Sequence, residues 1–291
     1  MTSPRIGIAL GGGGARGLAH IPMIEVLDEF DIIPSIIAGC SIGAFIGAGY
    51  AAGMTGKEMR EYAATLFSDR TTVIQKLWTL RPKKFTDLFQ GGITLTQFDA
   101  EPITELFLPD TIPETFDGLG IPLTIVACDY YGWSEAVIKT GNVRSAISGS
   151  IAIPVLFKPV LREDRVLIDG GAVNPLPIDQ ARPHADIVIA VDVVGGPKGA
   201  PPTIPNNTES IFGATQLLMQ SIASEKLKQA PADILIRPNI DIFRVLDFFK
   251  VMAIFKSADA SKDALRRELD TALSAWAKGP AELQKARPTA T

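Results

Sequence analysis

Histidine is almost missing from this chain: His20 and His184 are the only two among 291 residues. A nucleophile that needs an imidazole base therefore has very little choice. Cysteine is equally scarce. Cys40 and Cys128 cannot build a disulfide framework and are too few for a zinc site. Both lie in apolar surroundings and read as small buried residues, in keeping with a reducing, cytoplasmic setting. No run of Lys or Arg occurs and the net charge is −4, which excludes a basic nucleic-acid binder. The apolar run at the N-terminus is too short for a signal peptide and breaks into glycines.

A long apolar run is also missing, with one exception. Residues 32–56 hold no charge, and Gly39, Gly43 and Gly47 stand at the small-xxx-small spacing of packed membrane helices. Pro34, Ser35, Cys40, Ser41 and further glycines thin out that apolar surface. The stretch reads better as a buried strand, "SIIAG", followed by a separate helix, "GAFIGAGYAAG".

Hydrophobic residues make up 46% of the chain, enough for an ample core. Apolar strands are predicted at 5–10, 35–39, 122–129, 135–141, 165–169, 186–194 and 233–238. Helices are predicted at 18–30, after residue 41, and from Thr55, which stands in capping-box spacing with Glu58. Strands separated by helices imply an α/β fold with a mostly parallel sheet covered on both faces. In such sheets the ligand site lies beyond the carboxyl ends of the strands. One domain spanning 1–291 is expected, with its core at about 5–240. A helical extension, including Leu265, Leu269, Ala272, Leu273 and Trp276, would cover about 241–280, with a frayed tail at 281–291.

Two glycine motifs carry chemistry. "LGGGGARG" (10–17) lies between a strand and a helix, and Gly12, Gly14 and Gly17 satisfy G-x-G-x-x-G. A dinucleotide site would also need an acidic residue at the end of the second strand, where Gly39, Cys40 and Ser41 stand instead. The other use of such a loop is to turn backbone N–H groups outward, next to the positive end of a helix, to hold an oxyanion. Arg16 would brace this loop or orient an anionic group. The second motif, "GCSIG" (39–43), matches G-x-S-x-G between a strand and a helix. Ser41 has glycine two residues before it and two after it, as a nucleophile elbow requires. Cys40, flanked at those distances by Ala38 and Ile42, does not.

The base is less determined. His184 would complete a Ser…Asp…His order but precedes its strand, on the wrong side of the sheet. His20, early in the helix after the glycine loop, reads as a packing or capping residue. Asp129, Asp169 and Asp192 each end a strand and each fits an ordinary turn residue as well. Asp169 stands out because Gly170 and Gly171 follow it.

Taken together and in this order, "GGGARG", "GCSIG" and "DGG" resemble the patatin-like phospholipase family, and "SGSIAIPVLFKPV" (148–160) looks like its segment before the DGG turn. The resemblance covers about residues 5–195. It implies a three-layer α/β/α domain and a Ser–Asp dyad, with Ser41 as nucleophile and Asp169 as base. Gly12, Gly13 and Gly14 would line the oxyanion hole, supported by Arg16, Gly17, Gly39, Gly43, Gly170 and Gly171. No metal or cofactor is implied. The expected substrate is a lipid ester, and peripheral contact with the inner face of a membrane is expected with it. The aromatic and basic stretch 68–98 and the apolar stretch 242–255 are the segments suited to such contact, as acyl tunnel, lid or bilayer contact. Two other readings are a Rossmann oxidoreductase and a non-catalytic regulator built on a hydrolase scaffold. Oligomeric state has no sequence signal.

Overall fold

Side-chain size alternates along the central strands and sets the layers. In the computed structural model, β1 (Ile6–Leu10) sends Ile6, Ile8 and Leu10 to one face and Ala9 to the other. β7 (Ile187–Val191) does the same with Ile187, Ile189 and Val191 against Val188 and Ala190. The large residues meet helices α1 (His20–Glu29), α2 (Ile42–Ala51), α9 (Val251–Asp259) and α10 (Lys262–Lys278). The small residues let α7 (Ile178–Ala181) and the long α8 (Asn207–Gln229) come close on the opposite face. This is an α/β/α sandwich built by period-two patterning of the strands.

Residues 3–80, 97–197, 199–279 and 282–283 are described by the structure. Within them, β2 (Ile36–Cys40), β3 (Leu123–Asp129) and β8 (Ile234–Ile236) join β1 and β7 in a parallel run ordered β3-β2-β1-β7-β8. β4 (Ser134–Ile138), β5 (Val160–Arg162) and β6 (Arg165–Asp169) add antiparallel pairings at the β3 end, so the sheet is mixed. β5 was not expected from the sequence; its three residues are too short to show a period.

One feature of the register positions the site. β4 pairs residues 125–129 of β3, while β2 pairs residues 123–126 and β6 residues 127–129. β2 and β6 must therefore share the edge of β3 that β4 does not use. They run toward each other along it: Cys40 pairs with Val126, and Asp169 pairs with the next residue, Ala127. The carboxyl ends of the two strands meet head to head.

The uncharged run 32–56 divides into β2, Ser41, α2 and the start of α3 (Gly56–Ser68), and no helix among the described residues is long and apolar enough to cross a membrane. The capping box of Thr55 and Glu58 is present at the start of α3. At the C-terminal end, Ile254, Phe255, Leu265, Leu269 and Ala272 bury α9 and α10 on the core. Of the 68–98 stretch, α4 (Arg70–Thr79) is seen. Residues 81–96, with Arg81, Lys83, Lys84, Phe85 and Phe89, lie outside the described residues, as does the tail from 284.

Candidate active site

Ser41 follows β2 and caps α2 with φ +53° and ψ −122°, a conformation rare for a residue with a side chain. The strand–helix turn forces it. A side chain at Gly43 would begin 2.1 Å from the carbonyl oxygen of Leu10, and one at Gly39 would begin 2.6 Å from the backbone nitrogen of Ala44. Gly43 is thus needed against β1, and Gly39 against the first turn of α2, including the Gly43 carbonyl at 2.6 Å. Gly17 similarly leaves room for Ile42, the first residue of α2.

The Ser41 hydroxyl donates to Oδ2 of Asp169 at 2.5 Å. The other oxygen, Oδ1, accepts the N–H of Gly171 at 2.7 Å, within the turn that Gly170 and Gly171 make after β6. Both groups are buried; Ser41 is 4% exposed. Burial raises the Asp169 pKa from 3.8 to about 6, and the hydrogen bonds from Ser41 and Gly171 oppose this rise only in part. At neutral pH the group is a carboxylate with enhanced basicity. The parallel-sheet rule accounts for Ser41 but not for Asp169. β6 is antiparallel to β3, and its carboxyl end reaches Ser41 because it is aimed back at β2.

The glycine loop closes one side. The N–H of Gly12 donates to the carbonyl of Pro175 at 2.8 Å, and that of Ala15 to the carbonyl of Val245 at 2.7 Å. Gly12 is therefore not a free donor, which corrects the expectation for that amide. The loop passes beside the serine at this point, where a side chain would begin 3.4 Å from Cβ of Ser41, an ordinary van der Waals contact. The amides of Gly13 and Gly14 have no acceptor among the described residues. Gly14 has φ +61°, and a side chain on it would begin 2.4 Å from the Val245 carbonyl, so only glycine fits.

The remaining candidates are structural. Arg16 is buried beneath the loop after β7, its Nη1 2.1 Å from where a side chain on Gly195 would begin, and Gln216 can accept from its Nη2 at 3.2 Å. It braces the loop. His20 is buried with Nε2 2.8 Å from the Gly11 carbonyl, and burial pushes its pKa down to about 4, so it is a neutral donor to that carbonyl. His184 is exposed at the amino end of β7. Asp129 accepts the N–H of Gly132 in a turn, and Asp192 pairs with Arg237. The Cys40 thiol is buried and its pKa is raised by burial and by nearby Asp169 and Glu135, which leaves it protonated beside Ser41. No cluster of potential metal ligands occurs among the described residues.

One residue had no role assigned from the sequence. Ser150, fully buried at the end of α6 (Val143–Ser150), accepts the Ser41 N–H at 2.8 Å and donates to the Val126 carbonyl at 2.6 Å. It ties the elbow to β3. A buried serine flanked by glycine and isoleucine gives no pattern that marks it.

A family model described as patatin-like phospholipase matches residues 8–182, more than half of the chain and all three motifs. The chain belongs to the patatin-like phospholipase family. An uncharacterized NTE family protein of Mycobacterium tuberculosis is 37% identical over 68% of this chain and 51% of its own length. Human patatin-like phospholipase domain-containing protein 6 is 33% identical over 66% of this chain and 14% of its own. Lysophospholipase NTE1 of Yarrowia lipolytica is 29% identical over 88% of this chain and 19% of its own. The chain thus spans about half, or much less, of the length of these relatives. Membership leaves the dinucleotide reading without support: the G-x-G-x-x-G match belongs to a loop packed against Val193 and Val245.

A cleft of about 480 Å³ opens beyond the carboxyl ends of β7 and β8, lined by Asp192, Gln220, Arg237 and Asp241 among others. Neither Ser41 nor Asp169 lines it, and its charged walls do not suit an acyl chain.

Proposed function

We propose that the protein is a serine acyl hydrolase that cleaves carboxylic esters of lipids through Ser41, Asp169 and an acyl-enzyme intermediate. The observation that carries this reading is the direct 2.5 Å hydrogen bond from the Ser41 hydroxyl to a buried carboxylate of raised pKa. Asp169 takes the hydroxyl proton as Oγ attacks the ester carbonyl, then gives it to the departing alcohol. Water repeats the sequence on the acyl-enzyme: Asp169 takes its proton, the fatty acid leaves and Ser41 is restored. The amides of Gly13 and Gly14 face no acceptor among the described residues and are suited to hold the oxyanion, each donor contributing on the order of 3 kcal/mol in such sites. The names of the relatives support lipid as the substrate class.

Fluorophosphonate labelling together with short-chain ester turnover tests the assignment. Wild type and His184→Ala should label and turn over, whereas Ser41→Ala should do neither and Asp169→Asn should lose turnover. Retained turnover in Asp169→Asn alongside its loss in His184→Ala would transfer the role of base to the histidine. A folded wild type that neither labels nor hydrolyses would favour a regulator on the same scaffold.

A further inference from the structure

Large apolar side chains are exposed in a band beside the glycine loop. Leu246 is 54% exposed, Met252 63% and Trp78 61%, with Phe249 and Ile74 also uncovered. Their continuity follows from the geometry. Arg70, Ile74 and Trp78 recur every four residues along α4 and share one side of it. The Arg70 guanidinium lies 5.3 Å above the Phe249 ring, which joins α4 to the 242–252 segment. Phe249 and Met252 are three residues apart across the 3-10 turn Phe248–Lys250 and the start of α9, so they face the same way. Underneath, Phe67 stacks on Phe248 and meets Phe249 edge-on, which gives the band a firm base.

Charge separates this band from an ordinary exposed patch. Residues 242–256 carry Arg244, Lys250 and Lys256 against the single acidic Asp247, in a chain whose net charge is −4. Arg70 adds a cation on the α4 side. The band is also fastened to the site, since Val245, in the middle of the segment, accepts the N–H of Ala15 directly after Gly14.

We infer that this band docks the protein on an anionic lipid bilayer, with Leu246, Phe249, Met252, Ile74 and Trp78 entering the interface and Arg70, Arg244 and Lys256 meeting the headgroups, while Lys250 pairs with Asp247. Apolar side chains ringed by cations match the two layers of a bilayer surface, and both components add to binding. The inference rests on the lipid-ester reading for the choice of a bilayer as occupant, but its test does not depend on catalysis.

Protein carrying Ser41→Ala is floated with vesicles of phosphatidylcholine alone or mixed with phosphatidylglycerol. Binding to the mixed vesicles is expected, weakened by added salt. Leu246→Ser with Met252→Ser should weaken it on the order of tenfold. Trp78→Ser should weaken it independently. Ile33→Ser, which removes a 79% exposed apolar side chain just before β2, should bind as its parent does. Unchanged thermal melts of the band variants establish that they fold. Absence of binding to mixed vesicles, undiminished binding by the double variant, or equal loss in Ile33→Ser would overturn the inference. So would a dimer in sedimentation that the double variant abolishes without any vesicle binding, which would give the band to a second copy. Vesicle binding by the Ser41→Ala protein, with wild type that fluorophosphonate fails to label, would leave the docking face standing and remove the hydrolase reading alone.

Discussion

Asp169 carries a stability penalty that its replacement should expose. Its pKa stands at about 6 in the folded protein against an ordinary 3.8, chiefly because burial disfavours the charge. A difference of about two units corresponds to about 3 kcal/mol. Because the folded value lies above the unfolded one, the contribution to stability is fully present below the unfolded pKa and is lost as pH rises through about 6. Asp169→Asn keeps the shape and removes the charge. It also weakens the hydrogen bonds with Ser41 and Gly171, an offset that does not depend on pH. The stability of the variant relative to wild type should therefore climb by about 3 kcal/mol between about pH 4 and pH 7 and then level off. Urea unfolding of both proteins across that range measures it. Taking the difference between them cancels His20, whose effect has the opposite sign. Its pKa is pushed down to about 4, so its contribution is present above the unfolded value and lost as pH falls. A difference that stays flat, or shrinks with rising pH, would refute the claim that Asp169 is a buried carboxylate held above its ordinary pKa.

On the proposed reading the same group would set the acid limb of activity: kcat/KM for a soluble ester should fall tenfold per unit below about pH 6, measured in a pH–rate profile. Ser150→Ala removes the acceptor of the Ser41 amide and one donor to the Val126 carbonyl; a loss of about 1–3 kcal/mol in urea unfolding is expected, with a kcat decrease that Ser150→Thr partly rescues. Gly14→Ala should abolish turnover of a soluble ester, because its methyl would meet the Val245 carbonyl at 2.4 Å, whereas Gly12→Ala, whose methyl stands 3.4 Å from its nearest neighbours, should keep part of it. His20→Ala leaves the Gly11 carbonyl and a buried space without a partner, so unfolding should show a loss of roughly 2–4 kcal/mol, against less than about 0.5 kcal/mol for exposed His184→Ala.

Much of this was legible in the sequence where local pattern and local geometry coincide. Ser41 could be found because a sharp strand–helix turn demands glycine at positions 39 and 43, and those demands are written within five residues. Alternating Ile and Ala in "IGIAL" and "IVIAV" likewise announce two faces of unequal depth. What escaped depends on the pairing of distant segments. That β6 runs antiparallel is decided by its register on β3, which no residue of "RVLID" encodes. The Gly12 amide is taken by Pro175, more than a hundred and sixty residues later, and Ser150 reaches Ser41 only after α6 has packed. Hydrogen bonds of that kind leave no spacing to read.

The head-to-head approach of β2 and β6 also bears on why histidine is scarce at this site. An imidazole relaying a proton between a hydroxyl and a carboxylate needs two hydrogen bonds and the width of the ring, on the order of 7 Å in all. Ser41 and Asp169 are 2.5 Å apart, which leaves no room for a relay. On the proposed reading the carboxylate must then be basic enough to act alone, and an exposed aspartate would not be. Burial supplies the basicity by raising its pKa, and Asp169 is buried where the ends of β2 and β6 meet along β3. Moving Asp169 outward far enough to admit a histidine would rehydrate it, lower its pKa and separate β6 from the edge it shares with β2. Direct contact and raised pKa therefore stand or fall together, and a variant that restores a normal Asp169 pKa without loss of turnover would break that link.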